Sequence, residues 1–303
     1  MKPTLSLIAA ALLATPAAAQ DAITQFNIGV LGGENAQDRM TSNECLRKYA
    51  EETLGVPVKM FTPADYDGVI QGLLGGSLDA AILGASGYAK AYLTNADAVE
   101  PVLVKTNLDG ASTYYSVGFA RKDHEIASMA DMKDKVLGFG DPNSTSGYLI
   151  PAVELPKAGF SMTPGEYFKD IKFTGGHEQT IVAVKNGDVD AGVTWADGLG
   201  DWEDGYNSGA LRKAVDAGLV DMNDLVEIWK SEPIPEGPWV VRKALPADVK
   251  TKFVALVEGL IETDKDCAYG VAGGETAGFK PVTHDAYATI IEVRKLEEAK
   301  APN

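Results

Sequence analysis

Two stretches of this chain repeat one another at a fixed interval. Residues 69–83 read Val-Ile-Gln-Gly-Leu-Leu-Gly-Gly-Ser-Leu-Asp-Ala-Ala-Ile-Leu, and residues 181–194 read Ile-Val-Ala-Val-Lys-Asn-Gly-Asp-Val-Asp-Ala-Gly-Val-Thr. Each has a helix-like run, a glycine, one polar residue, one apolar residue, Asp-Ala and a strand-like run. Gly187 stands as far beyond Gly76 as Asp190 does beyond Asp79. A glycine at that point suits the left-handed cap that ends a helix, and the strand then returns to a sheet. Two such units so far apart predict two lobes of similar construction, with a cleft between them where ligands are favoured.

The segment 1–20 reads as an export signal. Lys2 supplies the positive start, residues 5–13 are a short apolar run, and small residues lead to a cleavage point near Ala19 and Gln20. The run is shorter than the roughly 20 residues that span a bilayer. Without the signal, 21–303 remains, enough for two lobes with separate cores. Loss of Lys2 moves the formal charge from −16 to −17. So acidic a chain argues against nucleic acid and anionic membrane surfaces as partners. An anion can still be held locally by backbone N–H groups. Export and an even count make a disulfide between Cys45 and Cys267 the expectation. The histidines His124, His177 and His284 are far apart, and CxxC is absent, so no metal site is expected. No cofactor is expected.

Strand-like segments at 26–31, 56–61 and 78–83 alternate with helix-like ones at 43–54 and 67–75. This β-α-β-α-β rhythm predicts an α/β fold, and it restarts with a strand at 135–139. Strand-like segments at 115–119 and 226–229 adjoin shifts in pattern and are read as the passages between lobes. Lobe one is then 21–116 with 230–303, and lobe two is 117–229. A Cys45–Cys267 bond fits that return of the chain. Residues 290–300 form a charged amphipathic helix, expected to pack on its own lobe.

The stretch Gly140-Asp-Pro-Asn-Ser-Thr-Ser-Gly-Tyr-Leu-Ile-Pro151 follows a strand and should open a helix. Ser144, Thr145 and Ser146 then stand at a helix start, where hydroxyls, free N–H groups and the dipole converge on one anion. A tetrahedral oxyanion can use that many donors. The stretch is not a P-loop, since no Gly-Lys-Ser/Thr follows. Thr174-Gly-Gly-His177-Glu-Gln-Thr180 also precedes a helix; its glycines permit close backbone approach and His177 is a second donor. Tyr66, at a strand-to-helix junction, and Tyr114, beside Tyr115, can supply hydroxyls and apolar walls from the other side.

These motifs stand in one order: Ala-Asp-Tyr-Asp-Gly-Val-Ile-Gln-Gly, Tyr-Tyr-Ser-Val, Asp-Pro-Asn-Ser-Thr-Ser-Gly, Gly-His-Glu, then Trp229-Lys-Ser, Ile-Pro, Pro and Val-Arg-Lys. Together they resemble the periplasmic phosphonate-binding proteins of phosphonate ABC transporters, over nearly the whole chain after the signal. The resemblance implies a type II, two-lobe binding protein, each lobe a mixed sheet flanked by helices, with ligand in the cleft. It implies a phosphorus oxyanion held by Ser144, Thr145, Ser146, His177, Tyr66 and Tyr114, and delivery to an ABC permease in the inner membrane. Members that bind aminoethylphosphonate also hold its amine with acids. The matching positions are Asp197 and Gly237, so the second acid is missing and Glu236 stands beside its place. Trp195, Trp202 and Trp239 are candidates for the organic end or for the core.

The expectation is therefore a monomeric periplasmic receptor for a phosphonate. A receptor of the same fold for phosphite or phosphate is the alternative, and a periplasmic phosphatase a third. Ser144 beside His177 would suit a nucleophile and base, but Gly-x-Ser-x-Gly and His-Glu-x-x-His are both absent, which favours a non-enzyme.

Overall fold

The computed structural model describes residues 23–31 and 35–300, so the export signal expected at 1–20 lies outside the described residues. The chain first alternates strands β1 (Phe26–Gly29), β2 (Val58–Phe61), β3 (Ala80–Ile82) and β4 (Val99–Thr106) with helices α1 (Ala36–Leu54), α2 (Tyr66–Gly75) and α3 (Ala85–Thr94). Strands β5 (Thr113–Arg121), β6 (Val136–Phe139), β7 (Asp170–Phe173), β8 (Ala191–Ala196), β9 (Leu225–Lys230) and β10 (Ile234–Pro235) follow, with helices α4 (Ile150–Lys157), α5 (His177–Asn186) and α6 (Ala210–Asp216). Last come β11 (Pro238–Arg242), α7 (Ala247–Glu258), α8 (Leu260–Thr263), α9 (Lys265–Ala272), β12 (Gly278–Pro281) and α10 (Ala288–Glu298).

The strands form two mixed sheets. One has the order β12-β4-β11-β3-β1-β2, the other β10-β5-β8-β6-β7 with β9 also on β5. In each, the strands β2-β1-β3 or β7-β6-β8 at one end are parallel, and antiparallel strands complete the other side. The repeated stretch explains this likeness. Asp79 donates its N–H to the Asn27 carbonyl at 2.7 Å, and its carboxylate accepts the Asn27 N–H at 2.7 Å. Asp190 does the same to Val136, at 3.0 and 2.7 Å. Each aspartate thus pins the third parallel strand of its sheet to the first. Gly76 and Gly187, at φ 78° and 79°, end the preceding helices in the left-handed conformation that costs other residues strain.

Apolar side chains cover both faces of both sheets, as parallel strands require. Phe26, Leu46, Trp239 and Phe253 pack under α1 and α7; Val69, Leu73, Tyr88 and Ile290 pack under α2, α3 and α10. In the second sheet Phe119, Ile181 and Leu211 fill one side, and Leu137, Phe139, Leu155 and Phe168 the other. Cys45 on α1 and Cys267 on α9 are joined by a disulfide, with Cα atoms 5.8 Å apart.

The strand-like segments read as passages, 115–119 and 226–229, lie inside β5 and β9, which pair antiparallel within the second sheet (Phe119 opposite Glu227). The chain changes sheets at 107–112 and again at Glu236 and Gly237. Apolar β5 is a buried strand, whereas the passages are short and polar and carry no periodicity to read. The Glu236 N–H donates to the Ser112 carbonyl at 3.0 Å, so the two passages run side by side.

Helix α10 packs on α3 and also reaches across to the second lobe. The Arg294 guanidinium donates to Asn143 Oδ1 at 2.9 Å, to the Pro142 carbonyl at 3.1 Å and to Ser86 Oγ at 3.1 Å. The Tyr148 hydroxyl donates to Glu297 at 3.0 Å.

Candidate functional site

The helix start at 144–151 departs from a regular α-helix. Residues Thr145–Leu149 make one wide π-helical turn, with the Leu149 N–H donating to the Ser144 carbonyl at 3.0 Å. Pro151 has no N–H for the Gly147 carbonyl four residues back, and that carbonyl accepts the Gly140 N–H instead, at 2.9 Å. Such turns recur at functional sites. Ser144 is the N-cap, its Oγ accepting the Gly147 N–H at 3.0 Å. Gly147 has no room for a side chain: a Cβ there would lie 2.8 Å from Ser144 Oγ and 3.1 Å from the His177 ring. The glycine lets hydroxyl and imidazole close on one point.

His177 is the first residue of α5, behind Gly175 and Gly176. Its Nδ1 lies 3.1 Å from Thr194 Oγ1 and its Nε2 3.4 Å from Ser144 Oγ. The two ring nitrogens thus face Thr194 on one side and Ser144 on the other. No side chain caps α5.

The other lobe closes on this turn. The Ser86 N–H, at the start of α3, donates to Thr145 Oγ1 at 2.9 Å. Tyr66 begins α2, and its N–H donates to Asp141 Oδ2 at 3.3 Å. The Asn35 N–H donates to Glu178 at 3.0 Å. Tyr114, expected from the opposite side, stands instead on β5 of the second sheet, in the same lobe as this turn, and brings its hydroxyl up against those of Thr145 and Ser146, while the Ser146 carbonyl accepts the Ser116 hydroxyl at 2.7 Å. Burial pushes the Tyr114 hydroxyl well above its ordinary range, and Glu236 adds to this, so it stays a neutral donor.

A cavity of about 1000 Å³ lies between the sheets and is bordered by Tyr66, Tyr114, Ser144, Thr145, Ser146, His177 and Glu236. Asp197 does not border it; its carboxylate accepts the Leu199 N–H at 3.2 Å. Burial pushes the carboxyls of both Asp197 and Glu236 upward, and the Lys105 ammonium pulls each part of the way back. Of the three tryptophans, Trp195 borders the cavity, Trp239 borders it while its ring packs edge-on against Phe253, and Trp202 packs on Tyr206 outside it. Gly237 opens β11 so close to β3 that a Cβ would stand 2.1 Å from the Leu83 carbonyl oxygen. An acid at 237 has no room, and Glu236 is the carboxylate the cavity receives there.

Sequence reasoning missed Lys105, Asp141, Thr194 and Arg294. A signal for Lys105 exists: it is the lone charge in the apolar run Val-Leu-Val-Lys-Thr of β4. The others act only through contacts made by distant segments. Among the described residues no group of His, Cys, Asp and Glu is arranged to hold a metal ion, and no helix is long and apolar enough to cross a membrane.

Residues 28–287 match the family described as "ABC transporter, phosphonate, periplasmic substrate-binding protein". The chain is 29% identical to the phosphate-import protein PhnD of Mycolicibacterium smegmatis, covering 91% of this chain and 87% of that one. It is 28% identical to the phosphonates-binding periplasmic protein of Escherichia coli, covering 96% and 81%. A binding-protein component of an ABC phosphonate transporter from Pseudomonas aeruginosa superposes with a TM-score of 0.76 at 26% identity, over 90% of this chain and 86% of that one. PhnD1 of Prochlorococcus marinus, solved with methylphosphonate, shares the fold at a TM-score of 0.73 and 21% identity, over 91% and 99%. The chain belongs to the periplasmic substrate-binding proteins of phosphonate ABC transporters, whose members bind substrate rather than turn it over.

Proposed function

We propose that the protein, exported by its segment 1–20, captures a phosphonate in the cleft and hands it, as a monomer, to an inner-membrane ABC permease. The observation that carries this reading is the convergence of six donors from separate segments on one cavity. Ser144, Thr145, Ser146 and His177 hold the oxyanion on lobe two. Tyr66 on α2 and Tyr114 beside the passage at 107–112 complete its shell. The lobes divide at 107–112 and at Glu236–Gly237, which act as the hinge. A ligand favours the closed form only by touching both lobes, and this donor set does so. The organic group then faces Glu236, Lys105 and Trp195.

The M. smegmatis relative carries phosphate import in its name, which makes phosphate the second reading. Calorimetric titration with methylphosphonate, 2-aminoethylphosphonate, phosphite, phosphate and sulfate decides between them. A phosphonate binding tightest supports the proposal. Phosphate or phosphite winning keeps the cradle and reassigns the substrate, and no binding by any of the five removes the ligand class altogether.

A further inference from the structure

Lys105 is 6% exposed, at the end of β4, where the cavity meets the passage into lobe two. Its ammonium donates to Ser208 Oγ at 3.2 Å, lies 3.6 Å from Glu236 Oε1 and 5.6 Å from the centre of the Trp195 ring, and is felt by the Asp197 carboxylate. It therefore stands beside Glu236, the acid that borders the cavity and would otherwise receive a cation. Glu236 is 9% exposed, and among the described residues no donor lies within hydrogen-bonding distance of its buried Oε1. The Lys105 contact is an ion pair too long to be a hydrogen bond. A buried acceptor left so is costly, and a donor on the ligand would relieve it. Glu236 also acts on the Tyr114 hydroxyl, which meets Thr145 and Ser146, so the acceptor is a short distance from the oxyanion cradle.

We propose that Lys105 sets the ligand class: the protein selects phosphonates whose short organic group ends in a hydroxyl, which donates to Glu236, and discriminates against those ending in an ammonium. A ligand ammonium within bonding reach of Glu236 Oε1 would stand beside the ammonium of Lys105 in a site that excludes water, where like charges repel strongly. A hydroxyl offers the same donor without the charge. Discrimination here comes from the repulsive element as much as from the attractive one. This inference rests on the reading of the cleft as a phosphonate site.

Ethyl-, 2-hydroxyethyl- and 2-aminoethylphosphonate differ only at the terminal group and are the probes, titrated calorimetrically into the wild-type protein, Lys105→Met and Lys105→Arg. We expect the wild type to bind the hydroxyethyl compound about tenfold or more tighter than the aminoethyl one, with ethyl weaker than hydroxyethyl. Lys105→Met uncovers Glu236 and moves the preference toward the aminoethyl compound by about tenfold or more, whereas Lys105→Arg keeps the wild-type order. Should Lys105→Met fail to fold, the wild-type and Lys105→Arg ratios decide. Aminoethylphosphonate binding best to the wild type, or Lys105→Met shifting all three alike, overturns the role of Lys105 and leaves the receptor intact. Binding of phosphate or phosphite with none of the three phosphonates removes the reading of the cleft as a phosphonate site, and this inference with it.

Discussion

Helices α2 and α5 hold the same place in their lobes, each after the outermost parallel strand and before the aspartate-led strand. They run in step: Tyr66 opens one and His177 the other, at the same interval that separates Gly76 from Gly187. Their beginnings differ. The Asp65 carboxylate accepts the Gly68 N–H at 2.8 Å, so α2 satisfies its own N-terminus and meets its own dipole with a negative charge. Helix α5 starts behind Gly175 and Gly176 with no side-chain cap. One scaffold thus yields a helix start capped by its own carboxylate, which presents a tyrosine, and one without a side-chain cap, which presents a histidine. A duplicated architecture fixes where side chains enter the cleft; the cap residue decides whether that entry attracts an anion.

The twin aspartates give the largest expected effect. Asp79 also pairs with the Arg242 guanidinium, whereas Asp190 serves the backbone of β6. Asp79→Ala should cost about 3 kcal/mol of stability, since it breaks a largely buried ion pair as well as the strand link. Asp190→Ala should cost about 2 kcal/mol. Chemical denaturation measures both, and equal losses would mean that the two links are equivalent and the ion pair adds nothing.

The cradle comes next. Ser144→Ala or His177→Ala removes a donor to a charged ligand and should weaken phosphonate binding by about 1.5–3 kcal/mol, read by calorimetry. Asp65→Ala, at the twin helix, should instead cost about 1 kcal/mol of stability with affinity unchanged. Affinity that drops in Asp65→Ala and holds in His177→Ala would reverse the assignment of the two helix starts.

The smallest effect is one of pH. Burial raises the Glu236 carboxyl above its unfolded value, so the folded state binds the proton more tightly. Stability from this group is present below the ordinary carboxylate range and is lost as pH rises through the raised value. Glu236→Gln imitates the protonated form. Its melting temperature should exceed that of the wild type at neutral pH, and the gap should close as pH falls through that window. A gap that does not change with pH would place the origin of the effect elsewhere.

Much of the fold was legible because it rests on local rules. The helix-Gly-Asp-strand unit announces itself through cap chemistry and period, and the Asp-Pro-Asn-Ser-Thr-Ser-Gly turn through its crowding of hydroxyls before an apolar helix. Helix α1 begins earlier than periodicity suggested, at Ala36, because Asn35 caps it by accepting the Gln37 and Asp38 N–H groups. The passages between sheets were misplaced by several residues, since they carry no apolar pattern and the buried strands beside them do.

From its own order of residues this chain determined two α/β lobes, the glycines that end their helices, and the seryl turn at the start of α4. Those follow from backbone conformation and short-range hydrogen bonding, which neighbours in sequence control. Only the tertiary structure decided that Lys105 stands beside Glu236, that Arg294 grips the loop before the cradle, and that position 237 has no room for an acid. Each of these depends on segments far apart in the chain meeting in space, as with Lys105 and Ser208 or Gly237 and Leu83. The charge and volume that one segment offers another are set there, and the character of the cleft's organic end with them.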